Sequence, residues 1–221
     1  MDETEGRATV VAAARELDRL GLNHGSAGNV SLRLGDAMLI TPSGASVDGL
    51  APEMIARMPL NGPDGAWEGP LAPSSEWRFH LDILRARPET GAVAHTHAPF
   101  ATTLAALRRE IPAVHYMIAA FGGPNVRCVD YAPYGTAALS DLAVEGLRDR
   151  EAVLLANHGA ITIGADMSRA VWRALELEAL ARIYWQATLM GAPVILPDDE
   201  IMRTVERFRS YGPRPPEPSS A

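Results

Sequence analysis

Cysteine is almost absent from this 221-residue chain: Cys128 stands alone. No internal disulfide can staple the fold, and a reducing compartment is expected. In Asn125-Val126-Arg127-Cys128-Val129, a short strand pattern, Cys128 reads as an inert buried thiol. Long apolar runs are missing too. None approaches the ~20 residues needed to cross a bilayer, so no membrane is expected as a partner. The first residues, Met1-Asp2-Glu3-Thr4-Glu5, are acidic and polar, unlike the basic start of a secretory signal. A cytoplasmic location follows as the expectation. Positive charge is not in excess either. The formal net charge is −7, which argues against nucleic acid as a partner, because phosphate-backbone binding wants a basic face. A small phosphorylated ligand remains possible, since backbone N–H groups and hydroxyls at a helix start can hold one phosphate. What is present is an ordinary globular composition, 47% hydrophobic and 21% charged, in a chain long enough to bury one sizeable core.

Apolar side chains at Val10, Val11, Ala14, Leu17 and Leu20 share one face of a helix over residues 4–20, which Gly21 and Asn23 end. After the small-residue loop Gly25 to Asn29, residues 30–34 alternate as a strand, and 38–41 pair with them across Gly35-Asp36. Pro42-Ser43-Gly44 breaks that strand. Residues 54–60 form a possible third strand, and 61–73 are a Gly- and Pro-rich loop. Ser74-Ser75-Glu76 opens a helix to about Arg87, with Ser as N-cap and Glu in the first turn. Further strands are expected at 91–97, 113–118, 126–129, 152–156 and 160–163. Helices are expected at 98–109, 135–150 and 168–189, and from Asp198 or Asp199 to about Arg209. No repeat or linker divides the chain, and regular βαβ alternation is missing. The expected fold is one layered α/β domain with a mostly antiparallel central sheet flanked by helices. It covers residues 1–211, and a Pro-rich tail follows at 212–221.

His95-Thr96-His97 is the most informative stretch. Two imidazoles two residues apart in an apolar segment lie on one face of a strand, and a divalent metal would satisfy their nitrogens. A third imidazole, His158, stands where the strand Leu154-Leu155-Ala156 ends, a common place for a functional side chain in α/β sheets. A remaining ligand could be a carboxylate, Glu76 or Glu110. Glu76 is the better one, because its helix leads directly into the strand of the His pair. His80 is a rival partner of Glu76, four residues away on the same helix face, but Trp77, Phe79, Leu81 and Leu84 make that helix read as core packing. His24 and His115 are expected to hydrogen-bond rather than ligate.

These pieces recur together elsewhere. Gly21-Leu22-Asn23-His24-Gly25-Ser26-Ala27-Gly28-Asn29-Val30-Ser31, Ile40-Thr41-Pro42-Ser43-Gly44, Pro73-Ser74-Ser75-Glu76-Trp77-Arg78-Phe79-His80, His95-Thr96-His97, Ile111-Pro112-Ala113-Val114-His115-Tyr116-Met117-Ile118-Ala119-Ala120 and Asn157-His158-Gly159 resemble the class II aldolase/adducin family. The match runs nearly the whole chain, to Tyr211-Gly212. The ordered set is highly specific, although each motif alone is weak.

The resemblance implies a zinc site of Glu76, His95, His97 and His158, with Mn²⁺ or Co²⁺ as other candidate ions. It also implies a phosphate pocket from Gly28, Asn29, Ser43, Gly44, Ser74 and Ser75. Residue chemistry agrees, since glycines allow close backbone approach and hydroxyls donate hydrogen bonds. Two departures stand out. Ser43 replaces a frequent Thr and keeps the hydroxyl. Tyr134 falls where the fuculose-phosphate enzymes carry Phe near the aldehyde end.

The implied reaction is reversible cleavage of a ketose 1-phosphate to dihydroxyacetone phosphate and an aldehyde. The substrate would be L-fuculose 1-phosphate or a related 5-deoxy or 5-methylthio pentulose 1-phosphate. Glu76 would be the base, and Tyr116 would act on the aldehyde oxygen from a neighbouring subunit of a homotetramer. Tyr211 would close over the site. Rival readings in the same superfamily are a sugar-phosphate 4-epimerase, which would carry Asp in place of Glu76; a dehydratase, which would need an acid where Ile118-Ala119-Ala120 stands; and a decarboxylase. A rival of another class is a non-catalytic adducin-like binding module.

Overall fold

The computed structural model describes residues 1–209. Helix α1 (Glu3–Arg19) opens on a reciprocal cap: Asp2 accepts the Glu5 N–H at 2.8 Å, and the Glu5 carboxylate accepts the Asp2 N–H at 3.0 Å. Strands β1 (Asn29–Leu34) and β2 (Ala37–Ile40) form a hairpin that β3 (Ala56–Pro59) extends. After α2 (Trp77–Ala86) come β4 (Ala92–Thr96), α3 (Pro99–Ala106), β5 (Ile111–Pro112) and β6 (Asn125–Val129). Helix α4 (Ala137–Gly146), β7 (Ala152–Leu155), β8 (Gly159–Gly164), α5 (Met167–Met190) and α6 (Asp198–Arg209) complete the described chain. The strands lie in the order β3-β2-β1-β4-β8-β7-β6-β5. Every pairing is antiparallel except β6 with β7, so the sheet is mostly antiparallel, as expected.

Helices cover both faces. On one, Val10 and Leu17 of α1, Leu104 of α3 and Leu177 of α5 pack over Val30, Ala94, Leu154 and Ala160. On the other, Phe79, Leu81 and Leu84 of α2 and Leu139 and Ala143 of α4 pack over Met38, Val93, Val153 and Ile161. The period of two along a strand decides what each face receives. In β4, Ala92 and Ala94 belong to the first core and Val93 to the second, so His95 and His97 continue the α2 side. In β1, Val30 and Leu32 belong to the first core, which leaves Asn29 and Ser31 facing α2.

Several expected elements change. The strand expected at 113–118 is replaced by a 3-10 helix, Tyr116–Phe121. Pro112 lacks an N–H, so pairing with β6 stops after two residues, and the Val114 N–H turns back to the Pro112 carbonyl at 2.7 Å. His115 then caps the turn, its Nδ1 accepting the Met117 N–H at 3.3 Å. The helix expected from Ser74 begins at Trp77, because Ser74 is spent on a preceding turn: its carbonyl accepts the Trp77 N–H and its Oγ the Glu76 N–H. Helix α3 ends at Ala106, and Arg108 turns left-handed beyond it. Helix α4 is shorter than 135–150, and Thr136 caps it through Leu139 N–H. The third strand is shortened to Ala56–Pro59 by a 3-10 turn at Pro52–Met54. Among the described residues, no helix is long and apolar enough to cross a membrane.

Candidate active site

Three elements distant in sequence meet at one end of the sheet. His95 is fully buried near the end of β4, and its Nδ1 donates to the Ala160 carbonyl at 3.0 Å. In a neutral imidazole that bond leaves Nε2 bare, the arrangement expected of a metal ligand. His97 follows two residues on, its backbone N–H held by Asn23 Oδ1 at 3.0 Å. The two Nε2 atoms stand 3.0 Å apart. His158 comes from the turn between β7 and β8, where Asn157 takes a left-handed conformation (φ 57°). The candidate ligand nitrogens of the three histidines all lie within 4.8 Å of one another.

Glu76, at the residue before α2, closes the group. Its Oε2 lies 3.3 Å from His95 Nε2 and its Oε1 3.1 Å from His158 Nε2. Tetrahedral ligands around zinc, at about 2.0–2.1 Å, lie about 3.3 Å from each other, and these separations fit that size. Oε1 is buried, yet its approach to His158 lacks hydrogen-bond geometry, which leaves it without a partner. A buried carboxylate oxygen without a hydrogen-bond partner, 3.1 Å from an imidazole nitrogen, is what a shared cation would reconcile. Burial by itself would raise the Glu76 carboxyl, but His158, His95 and the Asn29 amide, which donates to Oε2 at 3.0 Å, hold it well below the usual carboxylate range. Burial, reinforced by the facing His95 and His158, pushes His97 down to about 4. It is therefore neutral near pH 7, as a ligand must be.

The turn carrying His158 is built on a glycine. A Cβ at Gly159 would lie 2.5 Å from the Thr96 carbonyl oxygen and 2.8 Å from the His97 ring, so only glycine lets this turn close on the His pair. Gly28 is similarly confined: its φ is +74°, and a Cβ there would meet the Asn23 amide at 2.3 Å.

A cavity of about 380 Å³ opens beside the cluster. Gly28, Asn29, Ser43, Gly44, Ser74, Ser75 and Tyr134 line it together with Glu76, His97 and His158. The sequence-expected pocket residues are thus brought together, apart from Tyr116 and Tyr211. Tyr116 is half-exposed on the 3-10 helix beside His115 and Phe208, and is not part of the lining. Tyr211 lies outside the described residues. Ser26, Tyr131, Ala132 and Asn157 also line the cavity and were not singled out from sequence. Asn157 and Ser26 belonged to quoted motifs, whereas Tyr131 and Ala132 carried no signal. Of the weighed alternatives, Glu110 is remote and accepts from Asn125 Nδ2 at 2.8 Å. His80 is buried behind the cluster, and His24 is exposed. Cys128 is only partly buried, and burial raises its thiol to about 11, so it is unreactive as expected.

Residues 8–185 match the profile of the Class II Aldolase and Adducin N-terminal domain, and the chain belongs to that family. A 5-methylthioribulose-1-phosphate/5-deoxyribulose-1-phosphate aldolase of Rhodospirillum rubrum is 49% identical over 215 residues, covering 95% of this chain and 96% of the relative. An L-fuculose phosphate aldolase of Escherichia coli is 42% identical, covering 97% of this chain and 99% of the relative. A solved L-fuculose 1-phosphate aldolase superposes with a TM-score of 0.89 at 37% identity, covering 93% of this chain and 96% of that one. Within the family, this end-to-end likeness sets the chain among the enzymes, as an aldehyde-lyase of the class II aldolase type.

Proposed function

We propose that the chain is a zinc-dependent aldolase. It reversibly cleaves L-fuculose 1-phosphate, or a related 5-deoxy or 5-methylthio pentulose 1-phosphate, to dihydroxyacetone phosphate and an aldehyde. The observation that carries this reading is the convergence of three imidazoles and one carboxylate on a cavity otherwise walled by small and hydroxyl residues. Among the described residues, that wall has no arginine side chain. Phosphate recognition therefore falls to the hydroxyls of Ser43, Ser74 and Ser75, the Asn29 amide, and the backbone at Gly28 and Gly44.

The sequence contains no lysine, so a Schiff-base lysine is not available to stabilise the carbanion. Zinc held by His95, His97 and His158 would supply a Lewis acid for the negative charge that develops on the dihydroxyacetone phosphate half. Glu76, which would complete the metal's ligand set, takes a proton from the carbon beside the carbonyl in condensation and returns it in cleavage. Tyr134 lies at the aldehyde end. Tyr116 has no access to the cavity of its own chain, which supports its action on the aldehyde oxygen from a neighbouring subunit of a homotetramer. Tyr211 is assigned to the substrate site by the resemblance alone, residues 1–211 are read as one domain followed by a Pro-rich stretch, and the enzyme works in the cytoplasm.

The test is the release of dihydroxyacetone phosphate from a panel of ketose 1-phosphates, coupled to glycerol-phosphate dehydrogenase, with zinc measured in the same protein. Glu76→Gln should lower kcat on the best substrate by about 10²- to 10⁴-fold. Full activity in that variant would overturn the assignment of the base. A zinc-loaded wild-type protein without cleavage of any member would overturn the activity.

A further inference from the structure

Behind the metal cluster, a line of buried polar side chains runs away from Glu76 into the core. Asn29 Nδ2 bonds Glu76 Oε2 at 3.0 Å. Asn29 Oδ1 meets His80 Nε2, and His80 Nδ1 meets Ser31 Oγ at 2.8 Å. Ser31 and His80 are fully buried, and neither touches the cavity. Nothing in the proposed reaction uses them. Two periodicities create the line. Asn29 and Ser31 are two apart on β1 and so share the face toward α2. His80 lies one helical turn from Glu76, so its ring falls between them.

The chemistry of the end groups fixes every proton in the line. An ionised carboxylate only accepts hydrogen bonds, so Asn29 must turn its NH₂ toward Glu76. Its carbonyl oxygen then faces His80, which must donate from Nε2. A neutral His80 consequently has a bare Nδ1, which accepts from the Ser31 hydroxyl. Burial, with the ring stacked on Phe79 at 4.7 Å, keeps His80 neutral.

We infer that His80, held in its Nε2–H tautomer by Ser31, is a positioning residue. It fixes the orientation of the Asn29 amide so that Oε2 of Glu76 is pinned and Oε1 is left as the oxygen that receives the proton. Each group donates to the next in the order Ser31, His80, Asn29, and Glu76 is the final acceptor. Oε1 is the oxygen with no hydrogen bond in this structure, which is the asymmetry such pinning produces. Losing His80 would free the Asn29 amide to rotate, and the carboxylate would lose its fixed geometry without losing its place beside the histidines. The catalytic half of this inference rests on the aldolase reading, whereas the tautomer does not.

Two measurements test it. In metal-free protein, histidine-selective nitrogen NMR should find His80 protonated on Nε2 and bare on Nδ1. The opposite tautomer overturns the relay whatever the protein's activity. In zinc-loaded enzyme, His80→Leu should lower kcat about 10- to 100-fold with zinc content little changed. The same substitution in an Asn29→Ala chain should cost nothing further, because the amide it orients is gone. His80→Gln, whose amide nitrogen reaches about the position of Nε2, should restore most of the rate. Additive losses, or no recovery with Gln, would show that His80 merely packs the core and would overturn the proposal. Should His80→Leu fail to fold, Ser31→Ala asks the same question. It should slow the Asn29 enzyme and leave the Asn29→Ala enzyme unchanged, and the reverse would count against the relay. Failure of wild-type enzyme on every sugar would remove the aldolase reading, and the NMR result would still decide the relay.

Discussion

At the scale of single residues, His95, His97 and His158 were legible because two of them sit at strand spacing and the third at a strand end. Glu76 was separable from Glu110 because its helix feeds the strand of the pair. Gly159 was not legible as a requirement. Only the 2.5 Å approach of a hypothetical Cβ to the Thr96 carbonyl shows why the residue after His158 must be small. His80 was read as a core residue, and it is one, but a polar core residue with both nitrogens engaged. Its burial pushes it down to about 3 from 6.5, which has a consequence for stability. Below pH 6.5 the unfolded chain takes up a proton at His80 that the folded chain refuses. Stability from this group is therefore full above that pH and is lost as pH falls toward about 3, at no more than about 1.4 kcal/mol per pH unit. Urea midpoints should decline as pH is lowered below 6.5. His80→Gln, which cannot titrate, should decline less steeply, and parallel declines would refute this account.

At the scale of elements, alternation and cap residues located β1, β2, β4, β7 and β8 well, because each carries a local signal of burial. The misreading of 113–118 as a strand has a local cause as well. A β-branched and aromatic run fits a strand on propensity alone, but Pro112 and the His115 cap turn the backbone into a 3-10 helix. That turn puts Tyr116 on the surface rather than in a ladder. Helix α5 starts one residue earlier than the 168–189 reading, with Asp166 as its cap: the carboxylate accepts the Arg169 N–H at 2.8 Å and the Ser168 hydroxyl at 2.7 Å. Because this helix packs on β8 and β4 behind the histidines, its first turn bears on the whole fold. Asp166→Ala should destabilise the protein by about 1 kcal/mol in denaturant titrations, and a change near zero would mean that solvent satisfies the freed N–H as well as Asp166 does.

At the scale of the whole molecule, the proposed ligands tie together the start of α2, the end of β4 and the β7–β8 turn. Metal binding should therefore report on global stability. Zinc at 100 times its dissociation constant should stabilise the folded chain by about 2.7 kcal/mol. Thermal unfolding should shift upward with zinc and back with a chelator, while a His95→Ala variant should respond weakly. An equal response in that variant would place the bound ion elsewhere.

Taken by itself, the sequence indicated most of the elements, the layered, mostly antiparallel architecture and the grouping of His95, His97 and His158 with Glu76. These follow from periodicity, caps and residue type, all of which are local. Tertiary structure alone decided which face of β1 meets α2, which oxygen of Glu76 is pinned, and that Tyr116 does not reach the cavity of its own chain. Those outcomes depend on strand register and helix docking between segments dozens of residues apart, and no local pattern encodes the contact between them.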